Sequence, residues 1–105
     1  MTRIILGTFL SILINNCWSA EGHQTGKITN LTATTHGILI KLNKGLPSNC
    51  EGTPFGWMLI RQENTALISV VLATWISGQS TGTVYTSGTA NSTGYCIVNQ
   101  FDPDN

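Results

Sequence analysis

Five carboxylates, two histidines and three cysteines carry whatever acid–base, nucleophilic or metal-binding chemistry this chain has. Their spacing forms no catalytic pattern. Glu51, Glu63, Asp102 and Asp104 stand apart, and none makes a spaced pair on an expected rigid element. His23 falls in a polar stretch, 21–25, expected to be frayed, and His36 in an expected turn. Both read as solvated loop histidines rather than bases. No Gly-x-Ser-x-Gly, His-Glu-x-x-His or phosphate-loop pattern occurs. The expectation is a protein that is not an enzyme, with no catalytic residue, no metal site and no cofactor.

The cysteines point elsewhere. Residues 1–20 read as a signal peptide: Arg3 is a positive start, 4–14 an apolar core too short to span a bilayer, and Ser19-Ala20 a small-residue cleavage site. Trp18 is a poor residue three positions before that cut. Cys17 opens a lipoprotein alternative, against which Asn15-Asn16 are not the small residues that processing wants. No other run is apolar for long enough to suggest a membrane span, since the longest is interrupted by Ser69 and Thr74. The remaining chain, 21–105, reads as one domain, secreted or periplasmic. It keeps Cys50 and Cys96, and an even pair in an exported domain suggests a disulfide. A domain this small buries only about 60% of its unfolded surface. Closing the loop between Cys50 and Cys96 would add about 4 kcal/mol in the chain-entropy picture. A metal or catalytic pair is the rival reading, with only His23 and His36 to assist it and neither at a ligand spacing.

Charge excludes one class of partner. From 21 to 105, four cations (Lys27, Lys41, Lys44, Arg61) stand against five acids (Glu21, Glu51, Glu63, Asp102, Asp104), and four minus five is −1. No basic patch is available to neutralise phosphates, so nucleic acid is not expected. Aromatic residues are better supplied: Phe55, Trp57, Trp75, Tyr85, Tyr95 and Phe101. Sugar rings present apolar faces and hydroxyl rims, which suit aromatic side chains with polar neighbours. Most of these aromatics are expected in the core, leaving the loops 43–54 and 88–94 as the exposed contacts. Asn30-Leu31-Thr32 and Asn91-Ser92-Thr93 match the N-glycosylation sequon, a short motif that matters only in a eukaryotic secretory pathway.

The elements that must position these residues alternate in a β pattern around one helix. Strands are expected over 26–34 (with one irregular step), 38–42, 55–61, 81–87 and 95–101. In the second, Ile38, Ile40 and Leu42 share a face. In the fifth, Cys96, Val98 and Gln100 share one face, and Tyr95, Ile97, Asn99 and Phe101 the other. Between the third and fourth strands, 64–78 reads as a helix with Asn64 as N-cap and Gly78 as terminator. The order β-β-β-α-β-β is that of the five-stranded Greek-key barrel called the OB-fold. An open α+β sheet of the same elements is the alternative, but closure hides strand edges. From Thr65 to Ser77 the helix carries no charge. Spaced about 100° apart, its apolar residues with Thr74 cover an arc of about 240°. That exceeds the stripe of a little over about 100° that a surface helix needs. One reading is that barrel, flanking loops and Trp57 cover most of it; the other is that part of it faces another subunit. Leu67, Ile68, Val71, Leu72, Trp75 and Ile76 are therefore the candidate interface for a homo-oligomer.

Trp57-Met58-Leu59-Ile60, Leu72-Ala73 followed by Ser77-Gly78, Val84-Tyr85 and the late Cys96 carry a resemblance. Over roughly 26–101 the chain resembles small exported bacterial proteins of poorly known function with a B-subunit-like OB-fold. More distantly, its layout is similar to the B subunits of AB5 toxins, which form pentamers and bind cell-surface glycans. The resemblance implies an exported, disulfide-stapled binding module, oligomeric and directed at a glycan. It assigns no sugar-contact residue. The alternative is a periplasmic structural or inhibitory domain that docks another protein.

Overall fold

The computed structural model describes residues 22–104, so the expected signal peptide over 1–20 lies outside the described residues. Five strands carry most of the chain: β1 (Gly22–Thr34), β2 (Gly37–Leu42), β3 (Met58–Arg61), β4 (Thr81–Thr89) and β5 (Cys96–Pro103). One helix, α1 (Thr65–Ser77), separates β3 from β4, and two single 3-10 turns, Ser48–Cys50 and Pro54–Gly56, lie between β2 and β3. The fold is mainly β, and its strands close into a ring in the order β1-β2-β3-β5-β4.

Closure depends on β1 serving two neighbours. Its first half pairs with β4, from Gly22↔Thr86 to Lys27↔Thr81, and its second half pairs with β2, from Ile28↔Leu42 to Thr34↔Gly37. Between the halves one residue, Thr29, is extra, because Ile28 faces Leu42 while Asn30 faces Lys41. Such a bulge bends a strand and increases its twist, as a ring this small requires. It is the irregular step expected in this strand. The ring is completed by a short parallel pairing of β3 with β5, Met58↔Cys96 and Leu59↔Ile97.

Three expectations about the strands change. The stretch 21–25 is not a frayed tail from Gly22 onward: His23 pairs with Tyr85 in the ladder, and the two rings lie 6.1 Å apart. Its polarity reflects the solvent-facing side of a strand, where the Thr25 and Thr83 hydroxyls meet at 2.7 Å. The third strand begins at Met58 rather than 55, because Phe55 adopts φ 55° inside the turn Pro54–Gly56. Finally, Phe101 does not lie opposite Val98. The β4–β5 register slips after Tyr85↔Gln100 to Thr86↔Val98, leaving Asn99 unpaired, and this second bulge returns Phe101 to the side of Cys96 and Val98.

Two apolar clusters result. Inside the ring, Ile28, Ile40, Met58, Ile60, Val84 and Val98 are wholly buried, with Val71 of α1 placed over them. Each such side chain contributes about 1.5–3 kcal/mol relative to exposure. Outside the ring, Leu39, Leu59 and Ile97 form a second cluster covered by Trp57, Ala90 and Tyr95. Trp57 therefore covers the sheet's outer face, not the helix as expected.

Gly78 ends α1 in the left-handed conformation, φ 86°. Asn64 stands at the N-cap but makes no side-chain cap bond; its carbonyl accepts from the Ile68 N–H at 3.0 Å.

Candidate functional site

Cys50 and Cys96 are joined as a disulfide, with Cα atoms 5.2 Å apart. The bond ties the turn Ser48–Cys50 to the first residue of β5, beside the short β3–β5 seam. Two side chains reinforce it. The buried Thr53 hydroxyl donates to the Trp57 carbonyl at 2.7 Å and accepts the Cys96 N–H at 3.0 Å. Asn49 donates to the Thr86 carbonyl at 3.0 Å and accepts the buried Thr86 hydroxyl at 2.6 Å. This corner is a structural staple, with every buried polar side-chain atom among the described residues hydrogen-bonded.

The outer face of the sheet offers a different arrangement. Alternation along β3 points Met58 and Ile60 into the ring and Leu59 and Arg61 away from it. Arg61 lies opposite Gly37, the first residue of β2, and the Gln62 N–H donates to the His36 carbonyl at 3.0 Å. The β1–β2 turn is thereby fixed against the end of β3. Gly37 is required there, since it has φ 143° and a Cβ would collide with the Ile60 carbonyl oxygen. From the other side the β4–β5 loop folds over, held by the Gly94 N–H to the Ala90 carbonyl at 2.7 Å and the Ala90 N–H to the Tyr95 carbonyl at 3.0 Å. The result is a cleft of about 280 Å³ with Leu59 at its base and His36, Arg61, Gln62, Glu63, Ser92 and Thr93 around it.

Its lining can do a limited chemistry. Arg61 offers a planar donor set, Ser92 and Thr93 offer hydroxyls, and Gln62 both donates and accepts. Such a set can hydrogen-bond a polar ligand. Among the described residues no three of His, Cys, Asp and Glu come together as a metal site. Glu51, Asp102 and Asp104 are exposed and take no part in this cleft.

The helix residues read as an interface divide in two. Val71 is wholly buried, and Leu67, Ile68 and Leu72 pack against the ring interior. Trp75 is 36% exposed and Ile76 79% exposed. Val70, at 41%, joins them on the open side. The hydroxyls of this helix fold back onto its own backbone: Ser69 donates to the Thr65 carbonyl at 2.8 Å and Thr74 to the Val70 carbonyl at 2.9 Å. The outer side is therefore less polar than its composition suggests.

Of the cleft residues, the sequence pointed to the loop that supplies Ser92 and Thr93, and it placed His36 in a turn. Arg61 was not singled out. Its signal was the two-residue period that sets it on the side of Leu59, away from the core. Trp57 and Tyr95, read as stacking surfaces, instead cover the second cluster, and the Lys41 ammonium lies 4.6 Å over the Trp57 ring. No helix among the described residues is long and apolar enough to cross a membrane. The chain matches no protein-family model, no curated protein and no solved structure.

Proposed function

We propose that this chain is an exported, non-enzymatic binding module, a single OB-fold-like domain over 21–105 that holds a saccharide in the cleft around Arg61. The order of elements, the ring β1-β2-β3-β5-β4 and the parallel β3–β5 pair support an OB-fold Greek-key barrel. The observation that carries the ligand reading is the convergence of the β1–β2 turn and the β4–β5 loop on one outer cleft. These are the loops with which OB-folds take oligonucleotides and oligosaccharides. A formal charge of −1 over 21–105 (four cations minus five acids) disfavours the first and leaves the second. The intact disulfide supports a secreted or periplasmic setting.

A glycan array probed with oxidised protein tests this reading. Hits are expected, and Arg61→Ala should weaken the best of them by about tenfold or more, the weight of a charge-assisted hydrogen bond. An array without hits, or binding indifferent to Arg61→Ala, sinks it.

A second reading, a domain that docks another protein, is favoured by Phe55 and Ile76, which are 86% and 79% exposed. Under either reading we propose self-association through the uncharged outer side of α1.

A further inference from the structure

A second cleft opens where the last turn of α1 passes the bulge of β1. Its volume is about 400 Å³, and Lys27, Ile28, Thr29, Trp75, Gly78 and Ser80 line it. That volume lies at the lower end of small-molecule sites, about 300–1,000 Å³. It shares no residue with the cleft around Arg61.

The cleft is built from fixed parts. Its apolar floor is Ile28, 1% exposed. The extra residue of the β1 bulge, Thr29, sits on its rim and is exposed. Ser80 holds a left-handed backbone, φ 52°, and is pinned on both sides: its N–H donates to the Thr74 carbonyl at 3.2 Å and its carbonyl accepts the Ile28 N–H at 2.8 Å. A non-glycine residue in that conformation is uncommon and persists where its surroundings determine it. Lys27 is anchored through its backbone, with its N–H on Asn43 Oδ1 at 2.9 Å and its carbonyl accepting the Asn43 N–H at 2.9 Å. Rigid walls reduce the ordering cost of binding.

The chemistry the lining offers is an indole, the Thr29 hydroxyl and one ammonium; the buried Ser80 hydroxyl turns to the Trp75 carbonyl at 3.5 Å. The two tryptophans of the described residues differ in availability. Lys41 lies over the ring of Trp57, which also covers the second cluster. Trp75 is 36% exposed at the mouth of this cleft. Lys27 is the one charged residue of the lining. An indole suits the apolar face of a pyranose, hydroxyls suit its rim, and a lone ammonium suits a carboxylate.

We propose that this cleft is a subsite for an acidic sugar. The ring stacks on Trp75, a rim hydroxyl meets the exposed Thr29 side chain, and its carboxylate faces Lys27. The proposal extends the saccharide-binding reading but uses none of the residues on which that reading rests.

Titration of ¹⁵N-labelled, oxidised protein with glucuronic acid, glucose and acetate tests it, with the Trp75 indole N–H as reporter, assigned through Trp75→Phe. Glucuronic acid should move that resonance saturably at millimolar concentration. Glucose should bind about two- to fivefold more weakly, the span of an exposed ion pair, and acetate should leave the indole unmoved. Lys27→Gln should erase the difference between the two sugars, and Trp75→Ala, followed through the Thr29 and Ser80 backbone amides that also shift in the unsubstituted protein, should abolish both titrations while the remaining amide spectrum stays that of the folded protein. Trp75→Phe, which keeps a smaller ring, should bind weakly rather than not at all, read through the same backbone amides. An unmoved Trp75 indole, or equal affinity for glucuronic acid and glucose, overturns the proposal. Arg61→Ala should leave these titrations unchanged, so this cleft and the one around Arg61 stand or fall separately.

Discussion

Phe55 bears two costs in one residue. Its backbone is left-handed, φ 55°, and its ring is 86% exposed. For an L-residue that backbone region costs roughly 1–2 kcal/mol, and asparagine tolerates it better. Phe55→Asn should therefore raise stability by about 0.5–1 kcal/mol, read as a shift of the urea midpoint at constant slope. A lower midpoint would mean that the ring makes a stabilising contact. Phe55 also marks the limit of what its own sequence displays. Phe55 to Arg61 reads as a strand, and nothing local reveals that Trp57 must donate to the Pro54 carbonyl at 3.1 Å and so close a turn. Phe101 shows the same limit. Strict alternation puts it opposite Val98, and the inserted Asn99 reverses that. A bulge belongs to a pair of strands, so one strand's pattern cannot show it. His23, by contrast, was obscured by composition: polar residues on the outer side of a strand look like a tail. The pairing of Cys50 with Cys96 was legible because, with Cys17 assigned to the expected signal peptide, two cysteines are left and allow one intramolecular bond. The cleft around Arg61 was legible only in part, since its residues come from three separate stretches of chain.

At the scale of elements, the weak joint is the seam between β3 and β5, where two residue pairs close the ring. Parallel pairing is slightly less stable per residue than antiparallel. The disulfide and Thr53 both act on Cys96, at the first position of that seam. Replacing both cysteines by alanine should cost about 4 kcal/mol, from the loop that the bond closes. Hydrogen exchange should show whether the seam also loosens locally, beyond that global loss. Amides of Met58, Leu59 and Ile97 should lose more protection than those of the β1–β4 ladder, which is paired over six positions. Uniform loss across the sheet would show instead that the bond acts on the unfolded chain alone. The helix, with its caps at Asn64 and Gly78, was the most legible element, because its signals lie within a few residues of one another. Which part of its apolar arc is covered was not legible, because that depends on the ring it sits on.

For the molecule as a whole, the proposed self-association rests on α1. Inward, Val71 seals the ring; outward, Ala66, Ser69, Val70, Ala73 and Ile76 are exposed and uncharged. Two copies can bring such sides together without like-charge repulsion, and small side chains let the backbones approach. Light scattering should give a mass above that of one chain at micromolar concentration, and Ala73→Glu should return it to one chain while leaving the thermal melt unchanged. A clean monomer before substitution refutes self-association through this helix. If copies do associate, the clefts are multiplied, and weak single contacts become avid ones.

The split loyalty of β1 has a consequence for how the chain is made. Synthesis delivers Gly22–Thr34 well before Thr81–Thr89, yet Gly22 pairs with Thr86. The partner of the first half of β1 emerges only after β2, β3 and α1 have been made. Until then half of β1 is an unpaired ribbon, and the circle cannot be joined. Closure of the ring is therefore deferred until β4 and β5 have both emerged.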